Sequence, residues 1–161
     1  GRGRGADVAW AHVGVLLAST RMKELAVMNM TEMMKSMPMD DTAMASMDMA
    51  VMQECMEACN ACMQACTMCA GTMAGMEGMG KCVSLSAMCA EMCQTMMKMM
   101  MHPMAMSADT MMPMLQATMA MCKACMDECM LHADMSETCR MCAMACEAAM
   151  MAYEMMMASM S

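Results

Sequence analysis

Apolar and polar positions along residues 48–158 repeat with the spacing of helix faces rather than of strands. Cysteines recur at three- and four-residue steps. Cys55, Cys59, Cys62, Cys66 and Cys69 form one run, Cys82, Cys89 and Cys93 a second, Cys122, Cys125 and Cys129 a third, and Cys139, Cys142 and Cys146 a fourth. At about 100° per residue the first five lie within roughly 80° of one another, stacked over about 21 Å of helix. Acidic residues such as Glu54, Glu57, Asp127 and Glu128 fall off these stripes and read as solvated faces.

Punctuation between the stripes sets the elements. The first helix is expected from about 48 to 70, stopping at the run that holds Gly71, Gly75, Gly78 and Gly80. The second runs from about 81 to 101 and ends before His102-Pro103, because a residue preceding proline leaves the helical region. A third starts near Thr110 or Pro113, a residue tolerated in a first turn, and reaches about Leu131. The fourth spans about 136 to 158. Only His132–Met135 separates the last two, so they are antiparallel neighbours or one bent helix. Short connections between helices of similar length predict an all-α protein, an up-down-up-down antiparallel four-helix bundle. Ahead of it, residues 22–47 form a Met-rich, part-helical N-terminal extension broken near Pro38, with Asp40-Asp41 as a cap or turn.

Composition sharpens this picture. The 161 residues include 42 Met and 14 Cys, with one Trp (Trp10), one Tyr (Tyr153) and no Phe or Ile. Met, Ala and Cys must therefore fill the core, and the first two are strong helix formers. None of the methionines lies in residues 1–21. There Arg2 and Arg4 precede an apolar run from Val8 to Ala18 that is too short to span a membrane. That start reads as a signal-like segment or as a scar of cloning. It favours export to the periplasm or cell surface, with the cytoplasm as the alternative. A net charge of −8 and no basic run exclude a nucleic-acid partner.

Fourteen cysteines make either a disulfide framework or a metal and redox set. Neighbours on one helix face have nearly parallel Cβ vectors, a poor geometry for the disulfide dihedral, so the spacing favours metal-binding thiols. All four stripes together would line a bundle interior with sulfur, with Ser86 standing where another ligand would fit. Thiolates and thioethers are soft, and the stripes hold no carboxylate or imidazole, which selects Cu(I) over harder ions. Two-coordinate Cu(I) needs only an i,i+3 or i,i+4 pair, whereas zinc wants closed tetrahedral groups. One monovalent ion per deprotonated thiol keeps the interior near neutral, for a capacity of about one Cu(I) per Cys.

The stripes continue in methionine. The first extends back to Met44, the second runs into Met96 and Met100, the third begins at Met111, and the fourth passes through Met150, Tyr153 and Met157. In an up-down bundle these positions gather at one end with the loop of residues 102–113. Thioethers bind Cu(I) weakly and stay neutral, properties suited to a port where copper is admitted. His102, between Met101 and Met104, is a candidate ligand there, as are Met104 itself and the stripe methionines. His132 lies at the opposite end, three residues past Cys129, where it would ligate or close that end, and for either histidine a solvated loop position is an equally good reading. For any single methionine packing is the better reading, because Met is the adaptable filler of cores. Runs such as Met99–Met101 and Met155–Met157 cover every face, and suggest extra weak copper sites or an oxidant sink.

Residues from about 50 to 150 resemble the bacterial copper storage proteins, cysteine-rich four-helix bundles. The resemblance is carried by Cys55 to Cys69, by Lys81-Cys82 with Cys89 and Cys93, and by Cys122 to His132 followed by Cys139 to Cys146. It implies storage of many Cu(I) ions on a thiolate-lined core, with all fourteen cysteines as ligands. Relatives often carry extra histidines before the last helix, where this chain has Ser136 and Thr138, so His132 stands alone. The expected protein is a copper store and not an enzyme. A copper chaperone or copper enzyme is the expected delivery partner, and homo-oligomerisation is left open. The rivals are a zinc or cadmium buffer and a thiol-redox or oxidant-scavenging protein. The redox reading needs a low-pKa attacking Cys beside a base, and only Lys81, Lys123 and Arg140 adjoin cysteines.

Overall fold

Two aspartate- and serine-capped helices and two others carry the cysteine stripes. The computed structural model describes residues 19–24, 32–33, 35–36 and 48–161. The chain divides into two compact units, Gly1–Met37 and Pro38–Ser161. Of the first, residues 19–24, 32–33 and 35–36 are helical and exposed. The signal-like reading of residues 1–21 and the break near Pro38 fall almost wholly outside the described residues.

In the second unit the long helices are α1 (Met49–Met73), α2 (Gly80–Met100), α3 (Ala108–Met130) and α4 (Glu137–Ser159), with a short 3-10 turn at Pro103–Ala105. No strand occurs among the described residues. The Asp48 carboxylate accepts from the Ala50 N–H at 2.9 Å, and the Ser136 hydroxyl accepts from the Cys139 N–H at 3.2 Å. Each thereby satisfies a donor that a first turn leaves free. Helix α1 passes through Gly71, where the sequence suggested a stop, and ends at Met73. The reversal needs the left-handed region only at Gly75 (φ 77) and Gly78 (φ 76), so Gly71 is free to stay helical. Helix α3 begins at Ala108, earlier than expected, after Ser107 in extended conformation. Pro113 is therefore inside the helix, one turn beyond the place where a missing N–H costs nothing. Between α3 and α4 the chain turns through Leu131–Met135 before Ser136 starts a new helix, so these are two helices and not one bent one.

Each helix packs against two others, in the cycle α1–α2–α3–α4–α1. Leaving aside the flanking Met56, Ala90, Glu128 and Ala143, their buried positions alternate steps of three and four. They are Met52, Cys55, Cys59, Cys62, Cys66, Cys69 and Met73 on α1, and Cys82, Ser86, Cys89, Cys93, Met96 and Met100 on α2. On α3 they are Met111, Leu115, Thr118, Cys122, Cys125 and Cys129, and on α4 Cys139, Cys142, Cys146, Ala149, Tyr153 and Met156. This is the seven-residue repeat of a coiled-coil seam, carried from one end of each helix to the other. It corrects the tracing of the fourth stripe. Ala149 and Met156 face inward, while Met150 and Met157 are half-buried, because the inward step after Cys146 is three residues and not four.

Candidate metal site

All fourteen cysteines are buried and free. Their sulfurs form a ladder across helices. Cys89 and Cys122 lie 3.6 Å apart, Cys142 and Cys66 3.6 Å, Cys66 and Cys146 3.7 Å, and Cys62 and Cys146 3.8 Å. Lower down, Cys82 stands 3.9 Å from both Cys129 and Cys139, and Cys69 stands 4.0 Å from Cys139. These are contacts between thiols, well beyond the length of a disulfide bond.

Five groups have all their sulfurs within 4.8 Å of one another: Cys62, Cys89, Cys93 and Cys122; Cys62, Cys66, Cys89 and Cys146; Cys66, Cys125, Cys142 and Cys146; Cys69, Cys129 and Cys142; and Cys69, Cys82 and Cys139. The groups overlap, since Cys62, Cys66, Cys69, Cys89, Cys142 and Cys146 each belong to two. Twelve of the fourteen candidate cysteines are thus brought together, and Cys55 and Cys59 lie in none of these groups. Ser86 faces the ladder, its Oγ 3.6 Å from the Cys125 sulfur.

Without metal, the thiols of the ladder shift one another in opposite directions. Hydrogen bonds from neighbouring thiols hold Cys62 and Cys125 low, with Cys122 the leading partner of the first and Cys129 of the second. Cys122 comes down to about 6, chiefly through Cys146. The donors are pushed the other way: Cys66 by Cys125, Cys89, Cys93 and Cys146 by Cys122, and Cys129 by Cys125. Cys69 and Cys82 are raised first by burial. A raised thiol contributes stability below the ordinary thiol value of 9.0 and loses it above, because the unfolded chain releases a proton that the folded one keeps. The lowered thiols are already ionised there and add no further slope. Stability of the reduced, metal-free protein is therefore expected to fall as pH rises past 9, by about 1.4 kcal/mol per pH unit for each retained proton. Urea midpoints measured under argon check this, and a flat profile would contradict the ladder.

The thioether end is assembled from more residues than the stripes suggested. Met96, Met100 and Met111 are buried as expected, joined by Met52, Met106 and Met156. Met104 is 63% exposed, and His102 is exposed beside a cavity of about 380 Å³ lined by Met99, His102, Ala105, Met106, Thr110 and Met111. Met44 lies outside the described residues. Met52 was legible as the i−3 neighbour of Cys55, while Met106 reaches the core from a loop that has no periodicity to read.

At the other end Glu128 corrects its reading as a solvated acid. It is 7% exposed, with Lys81 Nζ at 3.1 Å and His132 Nε2 at 3.3 Å from its carboxylate. Lys81 foremost, and His132 with it, hold the carboxyl below its usual range. Half-buried His132 is thus placed against Glu128 beside the last thiol layer. The sequence signal was the i,i+4 spacing of Glu128 and His132.

A sulfur-lined helical core of this kind has known counterparts. The sequence profile described as copper storage protein matches residues 48–158. The chain belongs to the copper storage protein family. Among solved structures, a Streptomyces lividans Ccsp loaded with 10 copper equivalents superposes with a TM-score of 0.74 at 31% identity, covering 81% of this chain and 98% of that one. A histidine-to-alanine variant of the same protein gives 0.69 at 33% identity, over 72% of this chain and 99% of that one. A five-copper form gives 0.66 at 34% identity, over 68% and 93%. No curated protein sequence matches this chain.

One expectation is overturned by this family. The Streptomyces relative is described as a cytosolic copper storage protein, which corrects the reading of this chain as exported to the periplasm or cell surface.

Proposed function

We propose that this protein binds and stores multiple Cu(I) ions on the thiolates of all fourteen cysteines, as a binding protein and not an enzyme. The observation that carries the reading is the overlap of the sulfur groups, in which six cysteines each serve two sets of neighbours. Thiolates that bridge successive ions suit Cu(I), which is content with two or three sulfurs, and suit zinc poorly, because closed tetrahedral sites do not share their ligands so freely. A thiol-redox role needs an accessible attacking sulfur, and every cysteine here is buried.

The cross-helix thiol pairs support an up-down-up-down antiparallel bundle over residues 48–158. Cys69 meets Cys82 while Cys62 meets Cys89, so numbering rises along α1 as it falls along α2. In this reading copper is admitted at the thioether end. There His102 and Met111 line the cavity, Met96 and Met100 continue the core, Met104, Met150 and Met157 are auxiliary, and Met44 belongs to the Met-rich extension of residues 22–47. His132 closes the other end through Glu128. Delivery falls to a copper chaperone or copper enzyme, with self-association as a further option. No helix among the described residues is long and apolar enough to cross a membrane.

Anaerobic titration of the reduced protein with Cu(I) against a competing chelator tests the reading. Saturation near 14 ions is expected, about one per thiolate. A clear excess would bring in the methionines, and saturation after a few ions would sink storage. A second outcome follows from Ser86, the only inward oxygen in the layer of Cys66, Cys125 and Cys142. Ser86→Cys is expected to raise the count by about one, and an unchanged count would mean that this layer is already saturated with sulfur.

A further inference from the structure

Tyr153 interrupts the ladder. It is the protein's one tyrosine and is fully buried, on the helix that supplies Cys139, Cys142 and Cys146. Its phenol donates to Cys93 Sγ at 3.2 Å and lies 3.1 Å from Cys59 Sγ. Cys93 is the outermost thiol of the twelve that form overlapping groups, and Cys59 belongs to none of those groups. The phenol oxygen thus bridges the end of the array and a thiol outside it.

The other two helices offer no sulfur to close this gap. On α4 the inward position between Cys146 and Tyr153 is Ala149. On α3 the positions beyond Cys122 are Thr118 and Leu115. The Thr118 hydroxyl is turned onto its own helix, donating to the Met114 carbonyl at 2.7 Å. Beyond the phenol, the next thiol is that of Cys55, one helical turn before Cys59 on the same inward face and equally buried. Met52 and Met56 are buried on the same helix, toward the thioether end. An i,i+4 pair of thiols is sufficient for a two-coordinate Cu(I).

We infer that Cys55 and Cys59 form a separate Cu(I) exchange site, divided by the Tyr153 side chain from a twelve-thiol store. This rests on the copper-storage reading and deepens it. Copper admitted at the thioether end meets the pair first. To go further it passes a ring held in place by two sulfur hydrogen bonds. The outer site is then a small, rapidly exchanging pool, and the inner thiols are the long-term reserve. Tyr153 is a positioning residue in this scheme and takes no copper itself.

Stopped-flow removal of Cu(I) from the fully loaded, full-length protein by a strong chelator reads the partition directly. Two phases are expected, with amplitudes of about 1 ion for the pair and about 12 ions for the store. Cys55→Ser combined with Cys59→Ser should abolish the fast phase and leave the slow one. Tyr153→Phe keeps the ring and removes both hydrogen bonds, so the slow phase should accelerate about tenfold while the fast phase stays put. A general loosening of the bundle would move both phases together. A single phase in the wild type, a fast phase surviving the double substitution, or a Tyr153→Phe protein that shifts both phases or neither would overturn the partition. Failure of storage itself would look different, because the loaded protein would then release only a few ions in total.

Discussion

Loading the reduced protein with Cu(I) is expected to raise its melting temperature by roughly 30 °C. The reason lies in where the sulfurs sit. Each group within 4.8 Å draws on two or more helices, so an ion held there ties those helices together and has no equivalent place in the unfolded chain. A ligand present at a hundred times its dissociation constant contributes about 2.7 kcal/mol per site, and only four such ions would supply about 11 kcal/mol. That matches the whole stability of an ordinary domain. The metal-free core starts from modest resources, since its centre is built from Cys, a small hydrophobe, in place of the larger aliphatic side chains. Helicity followed on heating, with and without copper and under argon, decides the matter. An unchanged midpoint would mean that copper sits on surface thioethers, where it links nothing.

The second large effect separates shared from private ligands. Cys66 and Cys146 occur together in two groups, whereas Cys82 and Cys139 occur together in one, at the end of the ladder. Replacing the first pair by serine is expected to cost about four bound ions, and replacing the second about two. Serine is a fair substitute for the comparison, because Ser86 already occupies an inward position of the same core. Circular dichroism confirms that each variant keeps its helices before the ions are counted. Equal losses from the two pairs would show that the ions occupy independent sites and that the overlap of groups has no chemical consequence.

Much of this was legible in residue spacing alone. Fourteen cysteines at steps of three and four located all four helices and their inward faces, because periodicity in a helix is a statement about direction. What spacing conveyed less well was the choice between three and four where a stripe ran out of cysteine. Past Cys146 the stripe was traced to Met150, and only the seven-residue seam set by the other helices selects Ala149. Gly71 was read as a stop although the turn needs glycine's freedom only at Gly75 and Gly78. Glu128 looked like surface because a carboxylate seldom enters a core unpaired. Its partner Lys81 sits on α2, so that ion pair is written in tertiary structure and in no local pattern. Met106 escaped for a similar reason, entering the core from the segment between the 3-10 turn and α3.

The sealing of every cysteine sulfur from solvent makes retention a matter of time as well as affinity. A chelator in water cannot touch an inner ion directly, so the escape rate is bounded by the local breathing that lets an ion past the Tyr153 ring. Each ion taken up makes that breathing rarer, since it fastens the same helices whose separation would free it. Occupancy therefore feeds back on lifetime. A nearly empty protein should surrender its copper readily, and a full one should hold it for far longer than the strength of any single copper–sulfur contact would suggest.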